Sequence, residues 1–173
     1  MTWMQTFLGA AFNPLEPQVD QIHLPDIAHA LSLTCRYGGH VRRFYSVAEH
    51  SVLLSETVQP RNALWALLHD ATEAYVGDLI RPLKENLPAF VAIEDRLAEV
   101  IAERFQLSTP MPKEVQEHDL RIVIDESRQL LSTPPNPWPA LIGLPPLWVT
   151  IEGWDPYRAE VEFLHRYSQL TDN

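Results

Sequence analysis

Residues 63–76 constrain the fold more than any other stretch, because they are apolar almost throughout and yet carry three ionisable side chains. An apolar run of this kind is typical of a buried helix. At about 100° per residue, Asp70 lies one step round such a helix from His69, and Glu73 lies almost directly above His69. The three side chains therefore share one arc of a buried surface.

Burying two carboxylates and an imidazole is costly unless they are paired or bind a cation. A hydrogen bond between His69 and Glu73 on a partly exposed face is the simpler interpretation of a lone pair of this kind. The apolar surroundings, the adjacent Asp70 and the Gly77-Asp78 pair just beyond the predicted helix favour a metal site instead.

Further metal ligands have to come from other segments. His50 and Asp119 lie in two other predicted helices, and together with His69 and Asp70 they give a mixed nitrogen and oxygen set. Such a set suits Zn, Co, Mn, Fe or Ni better than Ca. The Asp125-Glu126 pair offers a rival carboxylate to Asp119, which we prefer.

Helical signals cover most of the remaining chain. Ser46 with Glu49 reads as a capping box, Asp155-Pro156 as a helix start, and Gly77 as a helix end. Strand candidates are few, namely 42–45 and 148–151. The predicted helices span about 26–33, 46–58, 62–76, 88–105, 112–131 and 155–167. We therefore expect an all-α fold, one domain over 1–173, with at most a very short β-hairpin.

The amino-acid composition limits the classes of molecule that the chain is expected to bind. The 173 residues carry a formal net charge of −10, so the chain is a poor candidate for binding duplex nucleic acid or an anionic membrane by charge, although a single nucleotide held through a metal is compatible with it. No run reaches the about 18 apolar residues of a membrane span. The single cysteine, Cys35, and the lack of a signal-like N-terminus lead us to expect a reducing, cytoplasmic location.

The motifs together resemble the HD-domain metal-dependent phosphohydrolases, whose ligands follow the order His, His-Asp, Asp on separate helices of an all-α bundle. The matching residues are Ser46-Val-Ala-Glu-His50-Ser, Leu68-His69-Asp70-Ala-Thr-Glu73-Ala-Tyr-Val-Gly77-Asp78 and His118-Asp119-Leu. The chain looks closest to the small branch that includes bacterial 5′-deoxynucleotidases and phage dATP triphosphohydrolases. The likeness runs from about residue 36 to 125, and Trp154-Asp-Pro-Tyr-Arg-Ala also looks like the tail of this branch.

The resemblance implies roles for particular positions. His50, His69, Asp70 and Asp119 match the metal ligands, while Glu73 and Asp78 match the catalytic carboxylates that handle the water and the leaving group. Arg36, Tyr37 and Lys84 match substrate-binding positions near phosphate and sugar. Tyr37 departs from the tryptophan that the branch carries there. A structural alternative has Arg36 capping the 26–33 helix and Tyr37 filling the core.

The sequence thus predicts an enzyme that hydrolyses the 5′ phosphate ester of (deoxy)nucleotides, acting either as a 5′-deoxynucleotidase or as a dNTP triphosphohydrolase. It predicts one divalent transition metal ion, with Mg at the phosphates as an additional expectation. A non-catalytic nucleotide-binding module on an HD scaffold ranks lower, and a cyclic-dinucleotide phosphodiesterase lower still. The apolar side chains Trp3 and Phe7 and the tryptophan-bearing proline loop 133–148 predict a homo-oligomer.

Overall fold

The computed structural model describes residues 2–172, and most of them are helical. The helices are α1 (Leu24–Leu33), α2 (Val47–Thr57), α3 (Ala63–Leu68), α4 (Glu73–Val76), α5 (Arg81–Lys84), α6 (Pro88–Arg104), α7 (Lys113–Leu130) and α8 (Pro156–Thr171). The strands β1 (Met4–Gln5) and β2 (Ala11–Phe12) form a two-stranded antiparallel hairpin. The all-α prediction is confirmed. In the described part of the chain, no helix combines the length and the apolar character that crossing a membrane requires.

Local capping signals place several helix ends close to where the sequence predicts them. The Ser46 hydroxyl accepts a hydrogen bond from the Glu49 backbone N–H at 3.0 Å, and α2 begins at the next residue. The Asp155 carboxylate accepts from the Arg158 N–H at 2.9 Å, and Pro156 opens α8. Gly77 ends α4 with a φ of 81°, a left-handed conformation that glycine adopts without steric cost.

Helix α2 lies at the centre of the bundle, where it packs against α1, α3, α7 and α8. The stretch 47–52 is buried on every side. Its apolar members join a core cluster that includes Ile27, Leu67 and Phe163 from the neighbouring helices. His50, in the middle of this stretch, is therefore held in the interior with no exposed surface.

The single helix predicted over 62–76 is wrong, because the structure divides it into α3 and α4. Between them the backbone bonds span three residues: the Ala71 N–H donates to the Leu68 carbonyl at 3.0 Å, and the Glu73 N–H donates to the Asp70 carbonyl at 3.0 Å. His69 Nδ1 also donates a hydrogen bond to the Ala66 carbonyl at 2.8 Å. The side chain thus competes with backbone N–H groups for a carbonyl that would otherwise accept a helical hydrogen bond. The His69-Asp70 pair consequently lies in a tight turn between two helices.

The strands predicted over 42–45 and 148–151 are also wrong. The Gln129 side chain on α7 donates to the Val149 carbonyl at 2.9 Å and accepts from the Ile151 N–H at 3.0 Å, so a side chain replaces a partner strand. The Arg42 N–H donates to the Leu130 carbonyl at the end of α7. Both segments are bonded to α7 instead of to each other, and Trp148 has a φ of 64°, which is not a strand conformation.

Glu49 does not complete the predicted capping box. Its carboxylate accepts hydrogen bonds from three consecutive backbone N–H groups, those of Glu152 at 3.0 Å, Gly153 at 2.9 Å and Trp154 at 2.7 Å. Three converging donors satisfy a fully buried carboxylate better than one N–H at a helix end does. Glu49 therefore fastens the segment that leads into α8 to the central helix.

We expect Glu49→Ala to lower the free energy of unfolding by at least about 2 kcal/mol, because it leaves buried backbone donors unpaired. Chemical denaturation followed by circular dichroism measures the change. Glu152→Ala is the matched control: Glu152 lies in the same segment, but its side chain is exposed and forms an ion pair with the exposed Arg158. Equal destabilisation by the two variants would contradict the role given to Glu49.

Candidate metal centre

Four side chains named from the sequence meet at one point. The two imidazole Nε2 atoms of His50 and His69 lie 3.2 Å apart. Asp70 Oδ2 lies 3.2 Å from His69 Nε2 and 3.6 Å from His50 Nε2. Asp119 Oδ1 lies 3.4 Å from His50 Nε2 and 3.6 Å from His69 Nε2. We refer to His50, His69, Asp70 and Asp119 as the HHDD cluster.

The HHDD cluster is assembled from three separate parts of the bundle. Helix α2 supplies His50, the turn between α3 and α4 supplies His69 and Asp70, and α7 supplies Asp119. The His50 side chain is fully buried and that of His69 is 4% exposed, whereas those of Asp70 and Asp119 are 19% and 31% exposed. The cluster therefore opens to solvent on its carboxylate side, where a substrate oxygen can reach it.

Hydrogen bonds on the far side of each ring fix which imidazole nitrogen carries the proton. His69 Nδ1 lies 2.8 Å from the Ala66 carbonyl, which can only accept, so Nδ1 is the donor. His50 Nδ1 lies 2.7 Å from the Glu126 carboxylate and donates in the same way. Each Nε2 atom then faces the other ring and two carboxylates, where it can offer a lone pair to a bound cation or a proton to the carboxylates.

An arrangement of four facing acceptors is repulsive unless a cation lies among them. For bonds of about 2.0–2.1 Å to a tetrahedral ion, neighbouring ligand atoms are separated by about 3.4 Å. The five distances that involve an Nε2 atom, 3.2–3.6 Å, are close to this separation, but Asp70 is not part of the group in which every ligand atom lies near every other. One ligand atom each from His50, His69 and Asp119 lies within 4.8 Å of the others. The residues present can therefore hold a divalent metal ion.

The charges within the HHDD cluster are strongly coupled. Burial lowers the pKa of His69, but the charges of Asp70 and Asp119 outweigh burial and hold it well above its ordinary value. Burial raises the pKa of Asp70, but the two histidines reverse that effect and lower it to about 2. The carboxylates thus stay ionised, as metal ligands must be.

Glu126 takes part in this site in a way that sequence reasoning missed. Its fully buried carboxylate accepts from His50 Nδ1, from the Tyr45 hydroxyl at 3.0 Å and from the Tyr37 hydroxyl. Burial raises its pKa, but Arg36 and His50 outweigh burial and lower it to about 2. The i+7 spacing from Asp119 on α7, which puts both residues on one helix face, is the signal that could have found it.

The rival carboxylate Asp125 points elsewhere. It accepts from the backbone N–H groups of Leu147 at 2.7 Å and Trp148 at 3.2 Å. Asp125 therefore holds the end of the proline-rich loop against α7, and Asp119 is the α7 carboxylate that faces both Nε2 atoms.

Arg36 and Tyr37 lie directly beside the HHDD cluster. Arg36 donates from Nη1 to Asp70 Oδ2 at 3.3 Å, and its Nε lies 3.3 Å from Glu126 Oε1. Tyr37 has a φ of 58°, a left-handed conformation that is strained for a bulky residue. The alternative in which Arg36 caps α1 is wrong: within residues 2–172 its bonds go to carboxylates, and the Thr34 N–H donates to the Ala30 carbonyl at the α1 end.

Glu73 and Asp78 flank the exposed side of the cluster. Burial and the charges of Asp70 and Asp78 hold the pKa of Glu73 well above its ordinary value, and Glu73 Oε2 is buried with no hydrogen-bond partner among the described residues. Burial also raises the pKa of Asp78, against the lowering effect of Arg36. Carboxylates are therefore crowded at the point where a substrate would enter.

Lys84 lies at the end of α5 and forms an ion pair with Glu94 on α6, with Nζ 2.5 Å from Oε2. Its positive charge still lowers the pKa of Asp78. In the structure Lys84 bonds to α6 and not to the cluster, so a contact with phosphate would require the side chain to leave Glu94.

Comparison with known proteins shows which family the chain belongs to. A protein of Escherichia coli (strain K12) named YfdR, described only as uncharacterized, is 37% identical over 173 residues, covering 99% of this chain and 97% of YfdR. The chain belongs to the YfdR family. An uncharacterized protein of Rhodobacter capsulatus is 35% identical to this chain over 124 residues, which is 66% of this chain and 63% of that protein. No family model matches the chain.

A shorter segment of this YfdR-family chain is similar to proteins of known name. Proteins of Yersinia pestis and Yersinia pseudotuberculosis named 5′-deoxynucleotidase are 42% identical to it over 66 residues. The match covers 38% of this chain and 32% of those proteins. The likeness is thus local, whereas the likeness to YfdR extends over the whole chain.

We expect the purified protein to bind about one divalent transition ion per chain, because its ligand set is of the nitrogen and oxygen type that such ions prefer. His69→Gln is expected to lose that ion, as measured by elemental analysis after dialysis. His118→Gln is the control: His118 precedes Asp119, but its Nδ1 lies 2.9 Å from the Thr57 hydroxyl and outside the cluster. Full metal content in His69→Gln would contradict the assignment of the HHDD cluster as the metal centre.

Proposed function

We propose that the protein is a metal-dependent phosphohydrolase of the HD type that cleaves the 5′ phosphate ester of nucleotides. The observation that carries this proposal is the HHDD cluster itself, in which two imidazole lone pairs and two carboxylates face one another at a solvent-exposed edge. The order of its members along the chain and the segment shared with proteins named 5′-deoxynucleotidase support the same function.

The chain's own residues account for the rest of the chemistry. A divalent ion, when bound, would lower the pKa of a water molecule and polarise the phosphoryl oxygen. Glu73, whose ionised form the charge of a divalent ion beside it would favour, accepts the proton of the attacking water as the water oxygen bonds to phosphorus. Arg36, held at Asp70, offsets the charge of the phosphoryl oxygens. Asp78, whose pKa is raised by burial, positions the 5′ oxygen and gives it a proton as it leaves with the electron pair of the broken P–O bond. Solvent restores the Asp78 proton and takes the one that Glu73 accepted.

Within this function a 5′-deoxynucleotidase is our first choice, because that is the name of the relatives that share a segment with this chain. A dNTP triphosphohydrolase breaks the same bond and requires more room beyond the α-phosphate, where Mg at the phosphates would assist. A panel of nucleoside mono-, di- and triphosphates, assayed separately for phosphate, pyrophosphate and triphosphate, distinguishes the two. Release of none of the three would contradict both.

A non-catalytic nucleotide-binding module is the second candidate. It requires the cluster and Arg36 but not Glu73, whose buried Oε2 has no hydrogen-bond partner among the described residues. A buried carboxyl oxygen without a partner costs stability, so its presence favours a chemical role.

We expect Glu73→Gln to keep the fold and the metal content and to lose hydrolysis by about 10²–10⁴-fold, the range for removal of a general base. Steady-state kinetics measures the loss, and elemental analysis confirms that the metal is retained. Glu103→Gln, an exposed glutamate on α6, is the matched control with expected full activity. If Glu73→Gln hydrolyses substrate about as fast as the unaltered protein, Glu73 is not the general base.

Two changes at Tyr37 separate its ring from its hydroxyl. Tyr37→Phe removes the hydrogen bond to Glu126 and keeps a ring against the sugar, so the preference for deoxyribonucleotides is expected to persist. Tyr37→Ala removes the ring and is expected to narrow the ratio of kcat/KM between deoxyribo- and ribonucleotides, with unchanged metal content. If both variants only lower the melting temperature and keep that ratio, Tyr37 is a structural residue.

Three further expectations stay predictions. One domain over 1–173, a cytoplasmic location and a homo-oligomer are each compatible with the fold described here. Exposed apolar side chains motivate the last of these, with Trp3 60%, Phe7 56% and Trp148 78% exposed. Light scattering measures the oligomeric state.

A further inference from the structure

A second pocket lies away from the HHDD cluster, between the N-terminal hairpin, α1 and α4. Its volume is about 300 Å³, and its polar lining includes Asp26 and Tyr75, while Phe7, His29 and Leu33 form much of the remaining wall. None of the residues assigned above to metal, catalysis or nucleotide lines it. The pocket is large enough for a small organic molecule.

Two buried polar atoms in this lining have no hydrogen-bond partner within residues 2–172. Asp26 is 3% exposed; its Oδ1 accepts from the Leu8 N–H at 2.7 Å, and its Oδ2 is unpartnered. Tyr75 is 6% exposed; its hydroxyl interacts weakly with the His23 backbone but makes no hydrogen bond of good geometry among the described residues. Buried polar atoms are nearly always hydrogen-bonded, so two orphans in one pocket indicate a missing ligand.

The charge around these atoms determines which chemical groups a ligand of this pocket needs. Burial raises the pKa of Tyr75, and the negative charge of Asp26 raises it further. These two effects outweigh a smaller lowering by the His23 backbone. The lining contains no lysine or arginine, and Glu160 adds a second carboxylate just outside it through its 2.9 Å contact with His29. The pocket is therefore mainly apolar, and its lining carries one carboxylate, that of Asp26, with no lysine or arginine to offset it.

The opposite wall is aromatic. The Phe7 ring stacks on the His29 ring, with centroids 3.7 Å apart and planes inclined by 13°. Phe7 is nonetheless 56% exposed, so one face of its ring is open to an incoming molecule. An exposed phenyl face attracts both flat apolar groups and cations.

We propose that this pocket binds a small organic cation with a planar amidinium or guanidinium head and an apolar body. The head donates N–H groups to Asp26 Oδ2 and to the Tyr75 hydroxyl oxygen, and its charge offsets that of the buried carboxylate. The body lies against Phe7 and Leu33. A neutral ligand of the same shape leaves Asp26 uncompensated and binds much more weakly.

Benzamidine is the probe, and neutral benzamide is the matched ligand control. Isothermal titration calorimetry on the full chain is expected to show saturable binding of benzamidine and none of benzamide at the same millimolar concentrations. Asp26→Asn, whose amide oxygen can still accept from the Leu8 N–H, is expected to weaken benzamidine binding about tenfold or more. Tyr75→Phe keeps the ring that packs on Phe12 and is expected to weaken binding less.

Further variants keep the test decisive if Asp26→Asn fails to fold. Phe7→Ala alters an exposed side chain and is also expected to weaken benzamidine binding, whereas the exposed Asp20→Asn is expected to leave it unchanged. Absence of benzamidine binding to the unaltered protein overturns the proposal. Equal binding of benzamide, or equal affinities in Asp20→Asn and Phe7→Ala, overturns it as well. None of these outcomes depends on hydrolytic activity.

Discussion

The hydrogen bond from His50 Nδ1 to the Glu126 carboxylate is the interaction on which the rest of the site depends. It joins the central helix α2 to α7 in the interior, where neither partner meets solvent. It leaves the His50 Nε2 lone pair free to face the cluster, and it keeps Glu126 charged for Arg36. A single buried carboxylate therefore orients the His50 ring, a candidate metal ligand, on one side and the Arg36 guanidinium on the other.

The HHDD cluster also places a constraint on folding. Two imidazoles and two carboxylates converge with their acceptor atoms 3.2–3.6 Å apart, an arrangement that is unfavourable without a counter-charge. In the structure Arg36 supplies part of that charge by donating to Asp70. A bound divalent ion would supply the remainder, and because it binds the folded chain only, its binding energy would add to the stability of the bundle.

Short-range signals in the sequence predicted the helices well, and long-range contacts explain what could not be predicted. Ser46 and Asp155 cap helices through bonds to residues three positions away, so their roles are visible locally. Glu49 was misread because its true partners lie more than a hundred residues further on. Residues 148–151 have the composition of a strand, but the Gln129 side chain occupies the place of a partner strand. Similarly, the cluster's members were visible as motifs, whereas the contribution of Glu126 depends on how α7 packs against α2.

Adjacent residues on α2 connect the two ends of the molecule. His50 belongs to the HHDD cluster, and Glu49, one residue earlier, is held by the backbone of residues 152–154 immediately before α8. Helix α8 in turn packs against α1, α2 and α3. A loosening of the C-terminal segment would thus be transmitted through one peptide unit to a metal ligand. Chains shortened to end before residue 152 would lack the three backbone donors that hold Glu49, and with them part of the frame around the neighbouring His50.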